Sequence, residues 1–312
     1  MLHLEVTWVY NNFKVTSLKE HYIKQDPSLI DLQAQWPESI SDIQPLQGGL
    51  TNQCWKITTL CGRHYVWRPH SISTQSFSIN RSNEFEVLNV LEGFALSPNA
   101  QALLPQGLLV EWVDGVTLMG QHNQTLSLLV MKCLVALHQY PLPQSHSLPI
   151  FDYQFCIENY WQALSSQQQT PRYQQWFEHF YQQYNELKNR TESILPPCLC
   201  HFDLGSYNII QKPDLALVII DWEYAAMASP VVDLATTILA EQFSVEESVE
   251  CYLELSRLDI DKSQFIAIVE EWLPYLRFMA LLWHQVNFSL HQRASDKHAI
   301  EVLTQQLELS ES

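Results

Sequence analysis

Cationic side chains are scarce in this chain: 17 Lys and Arg stand against 34 Asp and Glu in 312 residues, a formal charge of −17. A field of that sign repels phosphate backbones and anionic membrane faces, which argues against nucleic acid and membrane partners. It would attract a cationic small molecule, although acidity serves solubility equally well. Paired C-x-x-C spacing is missing from the seven cysteines, Cys54, Cys61, Cys133, Cys156, Cys198, Cys200 and Cys251. Zinc-ribbon and thioredoxin-like motifs are therefore absent, and reduced, mostly buried thiols in a cytoplasm are expected. Long apolar runs are missing too. The greasiest stretch, Trp272 to Val286, is interrupted by Pro274, Arg277 and His284 and is too short to span a bilayer. The first residues, MLHLEVTWVYNNFK, lack the basic segment and apolar run of a secretory signal. Repeats, low-complexity tracts and charge blocks are also wanting.

What is present is a globular composition, 46% hydrophobic and 16% charged, long enough for one large or two modest domains. The first 40 residues are ambiguous, with helical patches at Ser17 to Lys24 and Ser28 to Gln35. From Ile43 three short runs rich in β-branched and aromatic residues, ending at Leu46, Thr58 and Arg68, read as an antiparallel meander punctuated by Gly48-Gly49 and Cys61-Gly62. Asn80 to Leu91 carries helical spacing, and Gly107 to Val113 returns to strand. Beyond Gly115 the pattern is helical at Leu126 to His138, Ile157 to Ala163, Tyr173 to Ser193, Val231 to Gln242 and Glu246 to Ser256. Two more helices follow, Lys262 to Leu290 with a break near Pro274, and His298 to Leu309. A β-rich island between Pro197 and Asp221 interrupts this half.

That island reads HFDLGSYNIIQKPDLALVIIDWEYA and brings Asp203, Asn208 and Asp221 onto one short hairpin. Oxygen ligands of this kind suit Mg²⁺, which accepts one or two carboxylates together with phosphate oxygens and water. Phosphoryl transfer requires a metal to neutralise charge and a carboxylate to orient the attacking hydroxyl. Asp203 is the candidate for the hydroxyl, with Asn208 and Asp221 as candidate metal ligands.

His201-x-Asp203-x-x-x-x-Asn208 followed by Ile220-Asp221-Trp222-Glu223-Tyr224-Ala225 resembles the catalytic region of the aminoglycoside phosphotransferase and choline kinase superfamily, with the second run similar to bacterial thiamine and choline kinases. Pro230-x-x-Asp233-Leu234-Ala235 fits the same family, where the Asp supports the site. The resemblance extends over about Leu46 to Ala240. It implies an α+β, protein-kinase-like two-lobed fold, with a small antiparallel-sheet N-terminal nucleotide lobe over 1–113 and a mainly helical catalytic and substrate lobe over 114–312. It also implies ATP and Mg²⁺ as cofactors. Gly48, Gly49 and Asn52 resemble the family's nucleotide loop, Arg68 occupies its phosphate-binding position on the third strand, and Glu84 would be the ion-pair partner of Arg68. Glu111 to Val113 looks like the hinge whose backbone contacts adenine, and His138 is read as structural.

Several departures narrow the reading. There is no G-x-G-x-x-G loop, no Arg between His201 and Asp203, no D-F-G and no A-P-E, so a protein substrate is disfavoured. His201 organises its loop rather than reacting, since Asp203 already fills the base role. The helical half is aromatic at Trp161, Trp222, Tyr224, Trp272, Tyr275 and Trp283. Aromatic faces with carboxylates bind cations. Tyr224, Glu223 and Trp283 are therefore the substrate candidates, for a small, cationic alcohol of thiamine or choline type. An aminoglycoside or other small-molecule acceptor remains open. So do a nucleotide-binding pseudokinase, which would have no need of Asp203, and a metal-dependent hydrolase, which would lack a second ligand cluster. Oligomeric state is not legible.

Overall fold

In the computed structural model the described residues are 20–46, 53–120, 125–143 and 147–310. The chain forms two units: Met1–Gln75 with Pro98–Val113, and Ser76–Ser97 with Asp114–Ser312. The expected division after residue 113 coincides with one unit boundary. The segment from Ser76 to Ser97 belongs instead with the second unit; its helix packs on Trp222–Tyr224 and ties Arg81 to Glu223.

The first unit is built on a five-stranded antiparallel sheet in the order β1-β2-β3-β5-β4, against which packs the helix α1 (Ser28–Gln35). Its strands are β1 (Ile40–Pro45), β2 (Trp55–Thr59), β3 (His64–Pro69), β4 (Ala100–Leu104) and β5 (Gly107–Glu111). Side chains alternate across a strand. Trp55, Ile57, Tyr65 and Trp67 therefore share a face and pack with Leu29 and Leu32 of α1. Trp67 Nε1 donates to Ser28 Oγ at 2.9 Å, which ties β3 to the helix. Arg68 falls on the opposite face, paired in register with Leu108 of β5. The alanine-containing β4 carries weak strand propensity and escapes detection from sequence; its pairing with β5 defines it.

The second unit contains α2 (Arg81–Val90), α3 (Leu126–His138), α4 (Tyr153–Ala163), α5 (Pro171–Ile194), α6 (Pro230–Glu241), α7 (Val245–Ser256), α8 (Lys262–His291) and α9 (Ala294–Leu309). Helix α8 packs against α4, α5, α6, α7 and α9. The expected break at Pro274 does not occur, and α8 runs through it. A proline inside a helix costs about 3 kcal/mol. Here the neighbouring Leu273, Tyr275 and Leu276 are buried, and Trp272 Nε1 donates to Thr191 Oγ1 of α5 at 2.8 Å. Among the described residues no helix is long and apolar enough to cross a membrane. The seven cysteines are all free, but only Cys133 and Cys200 are buried, fewer than expected.

Two small antiparallel sheets interrupt the helices: β7 (Cys198–Cys200) with β10 (Ala226–Ala228), and β6 (Val116–Thr117) with β8 (Ile209–Gln211) and β9 (Leu217–Ile219). They carry the segment in which the chemistry-bearing residues concentrate.

Candidate active site

Strand β7 delivers His201, Phe202 and Asp203, and the hairpin β8–β9 carries Asn208 and Asp221 at its ends. In that hairpin Ile209 faces Ile219. The Ile220 N–H extends the ladder by donating to the Asn208 carbonyl at 2.9 Å. Asn208 and Asp221 thus emerge at the same end. Asp221 leaves the strand in the left-handed region, φ 70° and ψ 60°, a conformation Asp tolerates better than most residues.

His201 is fully buried, and its ring joins the two strands. Nδ1 accepts the Asp203 N–H at 3.2 Å and Nε2 faces the Ile220 carbonyl at 3.1 Å. An amide donor on one nitrogen and a carbonyl on the other require the neutral tautomer protonated at Nε2. Burial agrees, holding the His201 pKa below its ordinary value. Trp222 lies against the ring edge to face, 4.7 Å between centroids. The loop-organising role expected of His201 takes this form.

Asp233, fully buried near the start of α6, accepts His201 N–H on Oδ2 and Phe202 N–H on Oδ1, both at 2.7 Å. His138 Nε2 faces Oδ2 at 3.1 Å, and His138 Nδ1 pairs with the Tyr252 hydroxyl at 2.9 Å. Burial alone would raise the Asp233 pKa, but the His138 and backbone hydrogen bonds outweigh it and hold it low. The clamp keeps Phe202 at φ 64°, stacked on Phe151 with centroids 4.2 Å apart.

Asp203 follows directly. Its Oδ1 accepts from the Tyr207 hydroxyl at 2.7 Å and its Oδ2 from Asn208 Nδ2 at 2.9 Å. Nδ2 also donates to the Asp203 carbonyl at 2.9 Å, so two acceptors fix the amide orientation and direct Asn208 Oδ1 elsewhere. Burial, then the negative charge of Asp221, raise the Asp203 pKa to about 8. The intervening turn requires Gly205: a Cβ there would lie 2.3 Å from the Tyr207 ring and 2.8 Å from Glu241 Oε1. The same Glu241 oxygen accepts the Ser206 N–H at 2.6 Å.

Arg81 was not anticipated. Fully buried on the first turn of α2, its Nη1 donates to Glu84 Oε2 at 2.6 Å and to Glu223 Oε2 at 2.8 Å. Spacing i,i+3 with Glu84 was the sequence signal. Glu84, expected as the partner of Arg68, accepts from Arg81 within its own unit. Glu223, expected in the substrate pocket, is likewise buried against Arg81.

Tyr224 and Trp283 come together, with Trp283 Nε1 donating to the Tyr224 hydroxyl at 3.1 Å. Two further aromatics join them: Phe77 stacks on Trp283 at 5.0 Å and meets Tyr160 edge to face at 6.0 Å. Isolated in sequence, Phe77 and Tyr160 gave no signal of this. Trp222, Trp272 and Tyr275 are core side chains, and Trp161 stacks on Phe177. Gly48, Gly49 and Asn52 lie outside the described residues. Glu111 pairs with Tyr65 at the end of β5, and its N–H donates to the Asn99 carbonyl at 2.9 Å.

The sequence model of the choline/ethanolamine kinase family matches residues 43–267. The chain belongs to that family. It is a small-molecule kinase that phosphorylates a hydroxyl, and its antiparallel sheet unit and helical unit form the kinase-like α+β fold expected. Solved structures share the fold. Choline kinase LicA from Streptococcus pneumoniae superposes with a TM-score of 0.71 at 20% identity, over 94% of this chain and 99% of that one. A Plasmodium vivax ethanolamine kinase gives 0.65 at 19%, over 88% and 83%. The gentamicin–APH(2″)-IIa complex gives 0.62 at 16%, over 90% and 95%. No curated protein sequence matches the chain. The superfamily resemblance read from the sequence is borne out, without the thiamine branch being singled out.

Proposed function

We propose that this chain transfers the γ-phosphoryl group of ATP, with Mg²⁺, to the hydroxyl of a small cationic alcohol of choline or thiamine type, with Asp203 as the residue that orients and deprotonates that hydroxyl. One observation carries the reading: the Asp203 carboxylate is held by Tyr207 and Asn208, with its pKa raised to about 8. A general base serves best when its pKa lies near the working pH. Each carboxylate oxygen accepts one of the two hydrogen bonds, and an ionised carboxylate offers about four lone-pair positions, so an acceptor hydroxyl can still bind.

The donor set fits a divalent cation. Asp221 repels Asp203 strongly enough to contribute to its raised pKa, and a divalent cation held at Asp221 would relieve that repulsion. Asn208 keeps Oδ1 for it while Nδ2 is spent on Asp203. Asn208 and Asp221 would hold Mg²⁺, which when bound neutralises phosphate charge. Contacts to the nucleotide are assigned by family likeness to Arg68, to Glu84 as the expected partner of Arg68, to Gly48, Gly49 and Asn52, and to the backbone of Glu111 and Val113.

For the acceptor, Tyr224, Trp283, Phe77 and Tyr160 offer aromatic faces. The Glu223 charge is near enough to join burial in raising the Tyr160 and Tyr224 pKa values. Rings beside a carboxylate favour a cation through charge and quadrupole.

The test is acceptor-stimulated ADP release with Mg-ATP and choline, ethanolamine, thiamine or kanamycin. A cationic alcohol giving the highest kcat/KM supports the reading. Kanamycin exceeding all of them by orders of magnitude assigns the protein to another acceptor class, and no stimulation by any acceptor favours a pseudokinase.

A further inference from the structure

Strand β7 holds a second cluster that phosphoryl transfer does not use. Cys198 and Cys200, two residues apart on one strand, point to the same face, with Sγ atoms 3.9 Å apart. A ring nitrogen of His138, on α3, completes a group whose ligand atoms all lie within 4.8 Å of one another. We propose that His138, Cys198 and Cys200 bind a thiophilic cation of the Zn²⁺ class, bracing the strand that leads into His201 and Asp203.

Distance discriminates between the chemistries open to two neighbouring thiols. Two thiolates on a tetrahedral Zn²⁺, each about 2.3 Å from the metal, lie about 3.8 Å apart. The observed spacing therefore requires almost no movement. A disulfide needs about 2.05 Å between sulfurs and would draw them together by nearly half their separation. The surroundings supply what a metal-bound histidine normally has: His138 Nε2 faces the Asp233 carboxylate at 3.1 Å, the second-sphere partner that orients a ligating imidazole. That leaves Nδ1 as the metal ligand, in exchange for the neutral Tyr252 hydroxyl it now meets. Cys198 is only partly buried and gives an entry path, and a water completes the four-coordinate set.

The thiols also differ in readiness. The Cys200 hydrogen bond holds the Cys198 pKa below its ordinary value, while burial pushes Cys200 well above it. A thiol binds the cation as its thiolate, so affinity rises with pH. Through Asp233, which accepts both His201 and Phe202 N–H groups, the cluster is linked to the catalytic loop.

The test uses the full chain, reduced and stripped of metal, titrated with Co²⁺ and then Zn²⁺. One equivalent of Co²⁺ is expected to produce a thiolate-to-cobalt charge-transfer band that Zn²⁺ abolishes, and Zn²⁺ to raise Tm by several degrees, since a ligand that binds only the folded state stabilises it. Cys198→Ala, at the partly exposed position, is expected to lose the band and the Tm shift while keeping its circular dichroism spectrum. Cys61→Ala, altering the exposed cysteine, keeps both. No band in the wild-type protein, or a band that survives in Cys198→Ala, overturns the proposal. Both readouts are independent of kinase activity, so failure here leaves the kinase reading untouched.

Discussion

Asp233 holds Phe202 in a backbone conformation that an aromatic residue disfavours. Its Oδ1 accepts the Phe202 N–H at 2.7 Å while Phe202 sits at φ 64°. A left-handed non-glycine residue costs about 1–3 kcal/mol and persists only where surrounding contacts enforce it. The bend turns the chain between buried His201 and the carboxylate of Asp203, so the cost bears directly on where that carboxylate points.

Asp233→Asn is expected to release the bend. An amide presents one acceptor where the carboxylate presents two, and the negative charge facing His138 is lost. Removing one partner of a buried charged pair costs about 3–5 kcal/mol. Urea unfolding is expected to show a loss of that order, and steady-state assays about a hundredfold fall in kcat, larger than any change in KM for ATP.

The pH dependence of stability follows from Asp203. Its pKa is raised in the folded chain to about 8, against about 4 when unfolded. The folded state thus holds this proton more tightly. The associated stability is fully present below about pH 4 and is lost as pH rises through about 8. With metal absent, the Tm difference between wild type and Asp203→Asn is expected to move against the wild type over that window. Added Mg²⁺ is expected to shrink the change. A flat difference contradicts the charge placement of Asp203 beside Asp221.

Gly205→Ala tests the turn between Asp203 and Asn208. The added methyl meets the Tyr207 ring and the Glu241 carboxylate at sub-contact distances, and Tyr207 is the donor to Asp203 Oδ1. Overpacking of this kind costs about 1–3 kcal/mol. Thermal unfolding is expected to register it, and kcat to fall because the Tyr207 bond to Asp203 is displaced.

Trp283→Leu separates the acceptor reading from the phosphoryl-transfer reading. A cation–π contact contributes about 0.5–2 kcal/mol. KM for a cationic acceptor is therefore expected to rise several-fold to about tenfold, with KM for ATP unchanged. A matching rise for a neutral alcohol would remove the cationic preference.

Much of the site was legible because its residues sit close together in sequence. Asn208 and Asp221 flank one hairpin and Asp203 lies a few residues before it, after β7 rather than on the hairpin expected, and the spacing that pairs Asn208 with Ile220 is set by local strand register. Helix α3 was read with its observed limits because its apolar period is uninterrupted. What stayed hidden depends on contacts distant in sequence. Arg81 meets Glu223 across 142 positions, and Phe77 finds Trp283 only once the helices pack. Strand β4 exists through its partner β5, and α8 continues through Pro274 because buried neighbours hold it. Trp222, Trp272 and Tyr275 look like pocket candidates by type, yet only packing assigns them to the core.

The central claim is that Asp203 orients and deprotonates the acceptor hydroxyl. The most direct measurement is single-turnover phosphoryl transfer from Mg-ATP to the best cationic alcohol, by wild type and Asp203→Asn, with ATP binding measured on both. Loss of a positioned base typically costs about 10²–10⁴-fold. The account predicts a loss of that size in the transfer rate with ATP affinity retained. Transfer by Asp203→Asn within a few-fold of wild type would contradict it.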